Sequence, residues 1–309
     1  MTSRAVQYAR YGGPEVLETV EREDPQPGPG QVRLAVRAAS VNPIDWKLRS
    51  GAMASSGAPA QPVISGVDLA GTVEAVGEGV DAFGVGDEVL GHASGGAYAE
   101  KALANATALV GKPATTTWEL AGALAVIVTT AYRVLAQLAL GGGDDTDGKV
   151  LVINGASGGV GTVATQVAAA RGVTVIGTAS ERHQDGVRAL GATPVVYGEG
   201  LVGRVRALTD RVDAAFDAAG KGGLADLVAL TGSADRVITI ADPQAGEHGV
   251  LFSSGGDEGE GALADFVANL AAGRYRGPEV VVYPLEQAAK AQEDNRSGAV
   301  SGKLVLRVA

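Results

Sequence analysis

The chain has 309 residues, enough for two domains with cores of their own. Its 46 glycines, about twice the usual ~7% share, stand between short apolar runs and not in a low-complexity tract, so the protein is globular and loop-rich. A formal net charge of −10 argues against nucleic acid or an anionic membrane surface as the main partner, and the absence of cysteine excludes disulfides, thiol catalysis and thiolate-bound zinc.

The opening Met1-Thr-Ser-Arg-Ala-Val6 lacks the apolar core of a secretory leader, and no stretch reaches ~18 uninterrupted apolar residues. The reading is a soluble, cytoplasmic protein. The first hundred residues alternate in a β pattern, with turn chemistry at Gly12-Gly-Pro14 and Pro25-Gln-Pro-Gly-Pro-Gly30. Strands are predicted over 5–8, 31–40, 68–76 and 87–91. Near Thr115 the character changes: Thr116-Thr-Trp-Glu119 reads as a capping box, and the apolar stretch after it predicts one long helix joining two regions. Gly141-Gly-Gly-Asp-Asp145 then forms a flexible surface connection.

Val150-Leu-Val-Ile153 follows, a β-branched run suited to a strand covered on both faces. It enters Ala156-Ser157-Gly158-Gly159-Val160-Gly161, which aligns with the G-x-G-x-x-G fingerprint with Ala156 in the first glycine slot. Gly158 would let backbone approach a pyrophosphate, and Gly161 would let the helix pack on the strand. The Ala-rich 162–171 stretch makes a helix whose N-terminal N–H groups and dipole favour an anion. A second strand over 173–178 leads to Ala179-Ser180-Glu181-Arg182-His183, in the region ~20 residues on where an NAD enzyme places an acid on the adenosine ribose. Ser180 and Arg182 suit a 2′-phosphate, which favours NADPH; the alternative is Glu181 as the ribose acid, with NAD as cofactor.

Further strands at 194–197, 211–217 and 235–241 alternate with helical stretches, as in a doubly wound parallel sheet. Val250–Ser253 reads as an edge strand that could pair across a two-fold axis into a homodimer or be buried by the helix after it. The strand content of 278–288 and 303–308 suits the first region, so the chain returns to it.

Together these residues resemble the medium-chain dehydrogenase/reductase superfamily, and within it the zinc-independent quinone oxidoreductase and enone reductase group. The anchors are Tyr11-Gly-Gly-Pro-Glu-Val-Leu17, Ser40-Val-Asn-Pro-Ile-Asp-Trp-Lys47, Gly66-Val-Asp-Leu-Ala-Gly71, Gly86-Asp-Glu-Val89, Gly96-Ala-Tyr-Ala-Glu100, the fingerprint, and Val282-Tyr-Pro-Leu-Glu-Gln-Ala288. The resemblance implies an α/β chain: a GroES-like β-rich catalytic domain over 1–115 and 279–309, a Rossmann NADPH-binding domain over 116–278, and an active-site cleft between them. Zinc-dependent alcohol dehydrogenases place a Cys just after the strand that here ends at Ser40, and Gly-His-Glu where this chain has Gly66-Val67-Asp68. Both metal positions are gone.

The resemblance also sets the 40–47 segment beside the nicotinamide. Asn42 would orient cofactor or substrate, or form an ordinary turn before Pro43. Lys47, as in plant enone and alkenal reductases, would stabilise an enolate oxygen, or else be a solvated surface group. Asp45 would orient Lys47 or start a short helix at 44–49, and Asp68 is expected to be structural. Thr130 matches a cofactor-facing Thr but also fits helix packing, while Ala219 and Gly220 leave room for ribose and nicotinamide. Tyr98 reads as a half-buried strand aromatic or substrate wall, and His92, His183 and His248 as isolated, with no metal-ligand spacing and no catalytic role. Specificity would lie in loops 51–62, 91–97 and 242–256, of which 51–62 is expected to be mobile. The expected activity is metal-free hydride transfer from NADPH to a quinone or the C=C of an α,β-unsaturated carbonyl. An NADPH-binding redox sensor or structural protein, and a zinc-independent alcohol dehydrogenase, are the alternatives.

Overall fold

Two compact units divide the chain: Met1–Val126 with Leu263–Arg274 and Pro278–Ala309, and Ile127–Ala262 with Tyr275–Gly277. The structure is a computed structural model and describes residues 1–54, 57–143, 146–255 and 261–308. Parts of the loops expected at 51–62, 141–145 and 242–256 therefore lie outside the described residues.

In the first unit, β1 (Thr2–Tyr8), β2 (Glu18–Glu23), β3 (Gln31–Ser40), α1 (Pro43–Arg49), β4 (Val63–Ile64), β5 (Asp68–Val76), β6 (Glu88–His92), β7 (Lys101–Asn105), β8 (Leu109–Gly111) and α2 (Trp118–Gly122) follow in order. In the second come α3 (Ala125–Gln137), which starts two residues before the boundary, then β9 (Val150–Asn154), α4 (Gly159–Ala170), β10 (Thr174–Ala179), α5 (Gln184–Ala189), β11 (Thr193–Val196), α6 (Leu201–Arg206), β12 (Ala214–Asp217), α7 (Leu224–Thr231), β13 (Val237–Thr239) and β14 (Leu251–Phe252). The chain then returns to the first unit with α8 (Ala262–Ala271), β15 (Val280–Pro284), α9 (Ala288–Ser297) and β16 (Lys303–Arg307).

β3 organises the first unit. One of its edges pairs antiparallel with β5; the other is shared, β7 taking Gln31–Ala35 and β16 taking Ala38–Ser40. Alternating Val32, Leu34 and Val36 point into a core completed by Leu69, Val73, Leu304, Leu306 and Leu285, so residues from both ends of the sequence fill one interior. The registers place Ser40, Asp68, His92 and Lys303 at the same end of the sheet: Ala39 lies opposite Leu69, Asp68 opposite His92, and Val305 opposite Ser40.

The second unit is a parallel sheet in the order β11-β10-β9-β12-β13-β14. That order reverses direction beside β9, where ligands bind at the carboxyl ends of the strands of a doubly wound sheet. Val152, Ile176, Val195, Ala215 and Val237 form its apolar layer against Leu201 and Val205 of α6 and Leu224, Leu227 and Leu230 of α7.

The single long helix expected after residue 119 is two helices. Thr117, not Thr116, is the N-cap, its Oγ1 accepting from Leu120 N–H at 3.2 Å, while Glu119 pairs with Arg307 at 2.7 Å. The break at Ala123–Leu124 has a tertiary cause. Asp68 Oδ1 accepts Val126 N–H at 3.0 Å, so a carboxylate from β5 satisfies a helix-start donor that a continuous helix would bond internally.

Candidate active site and dinucleotide cradle

At the shared end of the first unit's sheet, four strand termini and α1 converge on a buried polar cluster. Asp68, wholly buried, accepts Ser40 Oγ at 2.7 Å and Asn42 Nδ2 at 3.0 Å on one oxygen; Val126 N–H and His92 Nδ1, at 3.3 Å, approach the other. Asn42 Nδ2 also reaches Ser40 Oγ at 3.0 Å, and its Oδ1 accepts from the Lys303 ammonium, which donates to Val41 O at 2.9 Å as well. Every polar atom of the Asn42 amide is thus fixed by its own chain. Burial opposes ionisation of Asp68, but hydrogen bonding and charge from His92, with Lys303 and Ser40, outweigh it and hold this carboxyl below its usual range. The cluster carries its own cation. Burial draws the Lys303 ammonium down, countered by the charges of Asp68 and Asp45.

α1 begins where this cluster ends. Pro43 occupies its first turn, and Asp45 Oδ2 accepts Asn42 N–H at 2.7 Å, the backward bond of a capping box. Asp45 Oδ2 also accepts Tyr98 Oη at 2.9 Å, and its Oδ1 is buried without a partner. Of the two roles expected of Asp45, these bonds are those of a helix cap. Lys47 lies two positions on, so it points to a different side of the helix. It is half-buried, its ammonium 5.7 Å from the Trp46 ring centroid, and burial lowers its pKa. α9 pins α1 in place: Trp46 Nε1 donates to Asn295 at 3.0 Å and buried Arg49 to Gln292 at 2.7 Å, with Gln292 in turn on Ser65. Tyr98 is fully buried, and Gly66 (φ +93°) makes room for its ring, since a Cβ there would stand 2.3 Å from Tyr98 Cδ1.

In the second unit the glycine turn is tighter than its alignment suggested. The left-handed residue is Gly155 (φ +87°), one position before the slot given to Ala156. Ala156 is wholly buried and spends its N–H on Thr178 O, so it supports the turn from beneath while Ser157 and Gly158 are exposed. A Cβ on Gly161 would lie 2.2 Å from Gly155 O; the helix therefore approaches the turn itself more closely than any side chain permits. Gly158 is the N-cap of α4, and Thr162 N–H closes the first turn on Gly158 O at 2.8 Å. The N–H groups of Gly159, Val160 and Gly161 are then the helix-start donors without a partner within the helix. Such a cradle fits an anionic pyrophosphate.

Side chains at the carboxyl ends of four adjacent strands lock this turn. Thr178 Oγ1 accepts Gly155 N–H and donates to Asn154 Oδ1 at 2.7 Å; Asn154 Nδ2 donates to Asp217, which also takes Thr239 Oγ1 and the N–H groups of Ala219 and Gly220. Gly220 (φ +63°) runs so close to Ala241 that a Cβ would sit 2.6 Å from its carbonyl carbon. The fingerprint and 219–220 are thereby joined at one edge of the sheet. Ser180, Glu181 and Arg182 stand at the tip of β10, Arg182 exposed and Ser180 Oγ 3.0 Å from His183 Nδ1. Thr130 is buried along α3.

His92 and His183 are thus not isolated: one pairs with Asp68 across two strands, the other with Ser180. Lys303, Asn154, Thr178 and Thr239 were missed as organising residues. A lysine at the head of Lys303-Leu-Val-Leu-Arg307 was the available signal, but it reads equally well as a solvated strand start. Among the described residues, no group of His, Cys, Asp and Glu is arranged to hold a metal ion, and no helix is long and apolar enough to cross a membrane.

A glycine cradle on a doubly wound parallel sheet, in a chain with a separate β-rich unit, defines a dinucleotide-binding protein. Comparisons with known proteins carry this further. Residues 28–139 match the alcohol dehydrogenase GroES-like domain, and residues 159–255 the family described as zinc-binding dehydrogenase. A quinone oxidoreductase of Lama guanicoe is 33% identical over 98% of this chain and 97% of its own length. Among solved structures, a mycobacterial protein complexed with NADPH superposes with a TM-score of 0.81 at 29% identity, covering 99% of this chain and 100% of its own. An NAD-dependent alcohol dehydrogenase does so with 0.85 at 29%, with the same coverage. The chain belongs to the medium-chain dehydrogenase/reductase superfamily and, within it, to the quinone oxidoreductase group.

Proposed function

We propose that this protein is a cytoplasmic, NADPH-dependent reductase of quinones and α,β-unsaturated carbonyls that works without a metal. The observation that carries the metal-free reading is the buried cluster itself. Both oxygens of Asp68 are engaged, no cysteine is available, and the positive charge beside Asn42 is the ammonium of Lys303. Zinc does not fit this donor set, which offers no thiolate and places a fixed cation where a second cation would be repelled.

Bound NADPH supplies a hydride from its nicotinamide ring. Gly158 to Gly161 would hold the pyrophosphate, Ser180 and Arg182 the 2′-phosphate, and Ala219, Gly220 and Thr130 would border the ribose and nicotinamide. Asn42, buried with every polar atom of its amide engaged, would act on cofactor or acceptor only by fixing the start of α1. Lys47, on the same pinned helix, would stabilise negative charge collecting on the acceptor oxygen. The exposed Leu251 and Phe252 on β14, the edge strand of the parallel sheet, support a homodimer, which a measured mass of twice the chain would bear out and a monomer mass would oppose.

Following NADPH absorbance with a panel of quinones and enones tests the activity, and dissociation constants for NADPH and NADH test the cofactor. Acceptor-dependent NADPH consumption and tighter NADPH binding are expected. The likeness to an NAD-dependent alcohol dehydrogenase favours one second reading, a zinc-independent alcohol dehydrogenase. Alcohol-dependent NAD(P) reduction, with no acceptor consuming NADPH, would establish it instead.

A further inference from the structure

Asp217 is wholly buried at the carboxyl end of β12, and among the described residues its hydrogen-bond partners are neutral donors. Asn154 Nδ2 reaches it at 2.9 Å, Thr239 Oγ1 at 2.7 Å, and the N–H groups of Ala219 and Gly220 at 3.1 Å each. A carboxylate only accepts, so it sets the direction of the bonds that lead away from it. Asn154 must present its NH2 group to Asp217, because the amide turned over would set oxygen against oxygen. Its Oδ1 therefore faces Thr178, whose hydroxyl donates to it at 2.7 Å and keeps a lone pair for Gly155 N–H at 3.0 Å. Gly155 is where this chain of bonds reaches the helix. Its carbonyl accepts Gly158 N–H at 3.0 Å and would lie 2.2 Å from a Cβ on Gly161, so the start of α4 is seated on it. Gly155 and Ala156 both spend their N–H groups on Thr178, one on its hydroxyl and the other on its carbonyl, and a bound phosphate falls to the first N–H groups of α4.

We propose that Asp217 is a positioning residue for the dinucleotide: through Asn154 and Thr178 it holds Gly155, and with it the phosphate-facing donors of α4, in the geometry that a pyrophosphate needs. This rests on the reading of the glycine turn as a pyrophosphate cradle. Every bond of the network is closed by groups of the chain itself, so the donors are ordered during folding and their ordering does not have to be met on binding. Thr178 is the link through which the order passes, since its one hydroxyl both receives Gly155 N–H and donates to Asn154.

Thr178→Val keeps the shape of the side chain and removes its hydroxyl, Thr178→Ser restores the hydroxyl, and Asp217→Ala removes the acceptor at the far end. The dissociation constant of whichever of NADPH and NADH binds tighter is expected to rise about 10-fold in Thr178→Val and in Asp217→Ala, and to return close to the wild-type value in Thr178→Ser. Combining Thr178→Val with Asp217→Ala should weaken binding no further than the worse single variant, because both break one chain. Wild-type affinity in the single variants, or fully additive losses in the double variant, overturns the proposal. Amide hydrogen exchange separates positioning from general loosening. In Asp217→Ala the Gly155 amide is expected to exchange about 10-fold faster while that of Val152, in the buried middle of β9, keeps its rate; equal acceleration of both overturns the positioning role. Should no variant fold, the wild type alone decides: a Gly155 amide that exchanges as fast as an open loop overturns the chain, and a slow one upholds it. A wild type that binds neither NADPH nor NADH overturns the cradle reading, and the proposal with it, while Gly155 exchange still reports on the chain.

Discussion

Burial pushes the Asp45 carboxyl up to about 7; Asn42 N–H opposes this, the charge of Asp68 adds to it, and Tyr98 and Lys303 oppose it again. An unfolded aspartate titrates near ~3.9. Between those values the folded protein holds a proton that the unfolded chain has lost, so this group's contribution to stability falls as pH rises from about 4 to about 7 and is level above. Asp45→Asn removes the titration. Urea unfolding at pH 5 and pH 8 is therefore expected to show the stability difference between wild type and variant moving in the variant's favour at the higher pH; an unchanged difference would count against it. The unpartnered Asp45 Oδ1 fits the same picture, since a protonated carboxyl leaves no bare anionic oxygen in the interior. For Lys47→Ala, kcat/KM toward quinones and enones is expected to drop by about 10²-fold with NADPH affinity retained. Full turnover with every acceptor would remove Lys47 from the scheme. Neither residue's role was legible from spacing alone: Asp45 and Lys47 sit two apart in sequence, yet one faces Tyr98 in the core and the other lies half-buried beside Trp46.

At the scale of elements, α4 and its turn offer two glycines with different duties. Gly161→Ala would drive a Cβ into Gly155 O at 2.2 Å, so the helix must retreat; about 1–3 kcal/mol of stability and most NADPH affinity should be lost together. Gly158 has an ordinary φ of −77° and its nearest neighbour, Gly155 O, would be 3.3 Å from a Cβ. Gly158→Ala should leave the urea midpoint nearly unchanged while weakening NADPH binding, as read by fluorescence titration. Unaltered affinity would show that phosphate does not approach there. The strands were largely readable because period and β-branching are local properties, as Gln31–Ser40 and Asp68–Val76 illustrate. The break between α2 and α3 was not, because an Asp68 side chain 58 positions away decides it. Likewise the motif located the glycine turn, yet only backbone geometry moved its left-handed residue to Gly155 and exposed the Asn154–Thr178–Asp217–Thr239 chain beneath it.

For the whole molecule, the first unit needs both ends of its sequence. Without β16, Ala38–Ser40 of β3 lose a pairing partner, Val41 N–H loses Leu304 O, and Leu304 and Leu306 leave the core. A fragment spanning 1–126 is therefore expected to show no cooperative urea transition, whereas the full chain should; a cooperative fragment would mean that the core closes without its last strand. Lys303 is separated from Asn42 by 261 positions. A ribosome adding ~5–20 residues each second reaches that lysine on the order of tens of seconds after Asn42 is made. Throughout that interval the nascent chain carries Asp68 and Asn42 without their lysine, and the first unit waits for the second to be translated before it can finish folding.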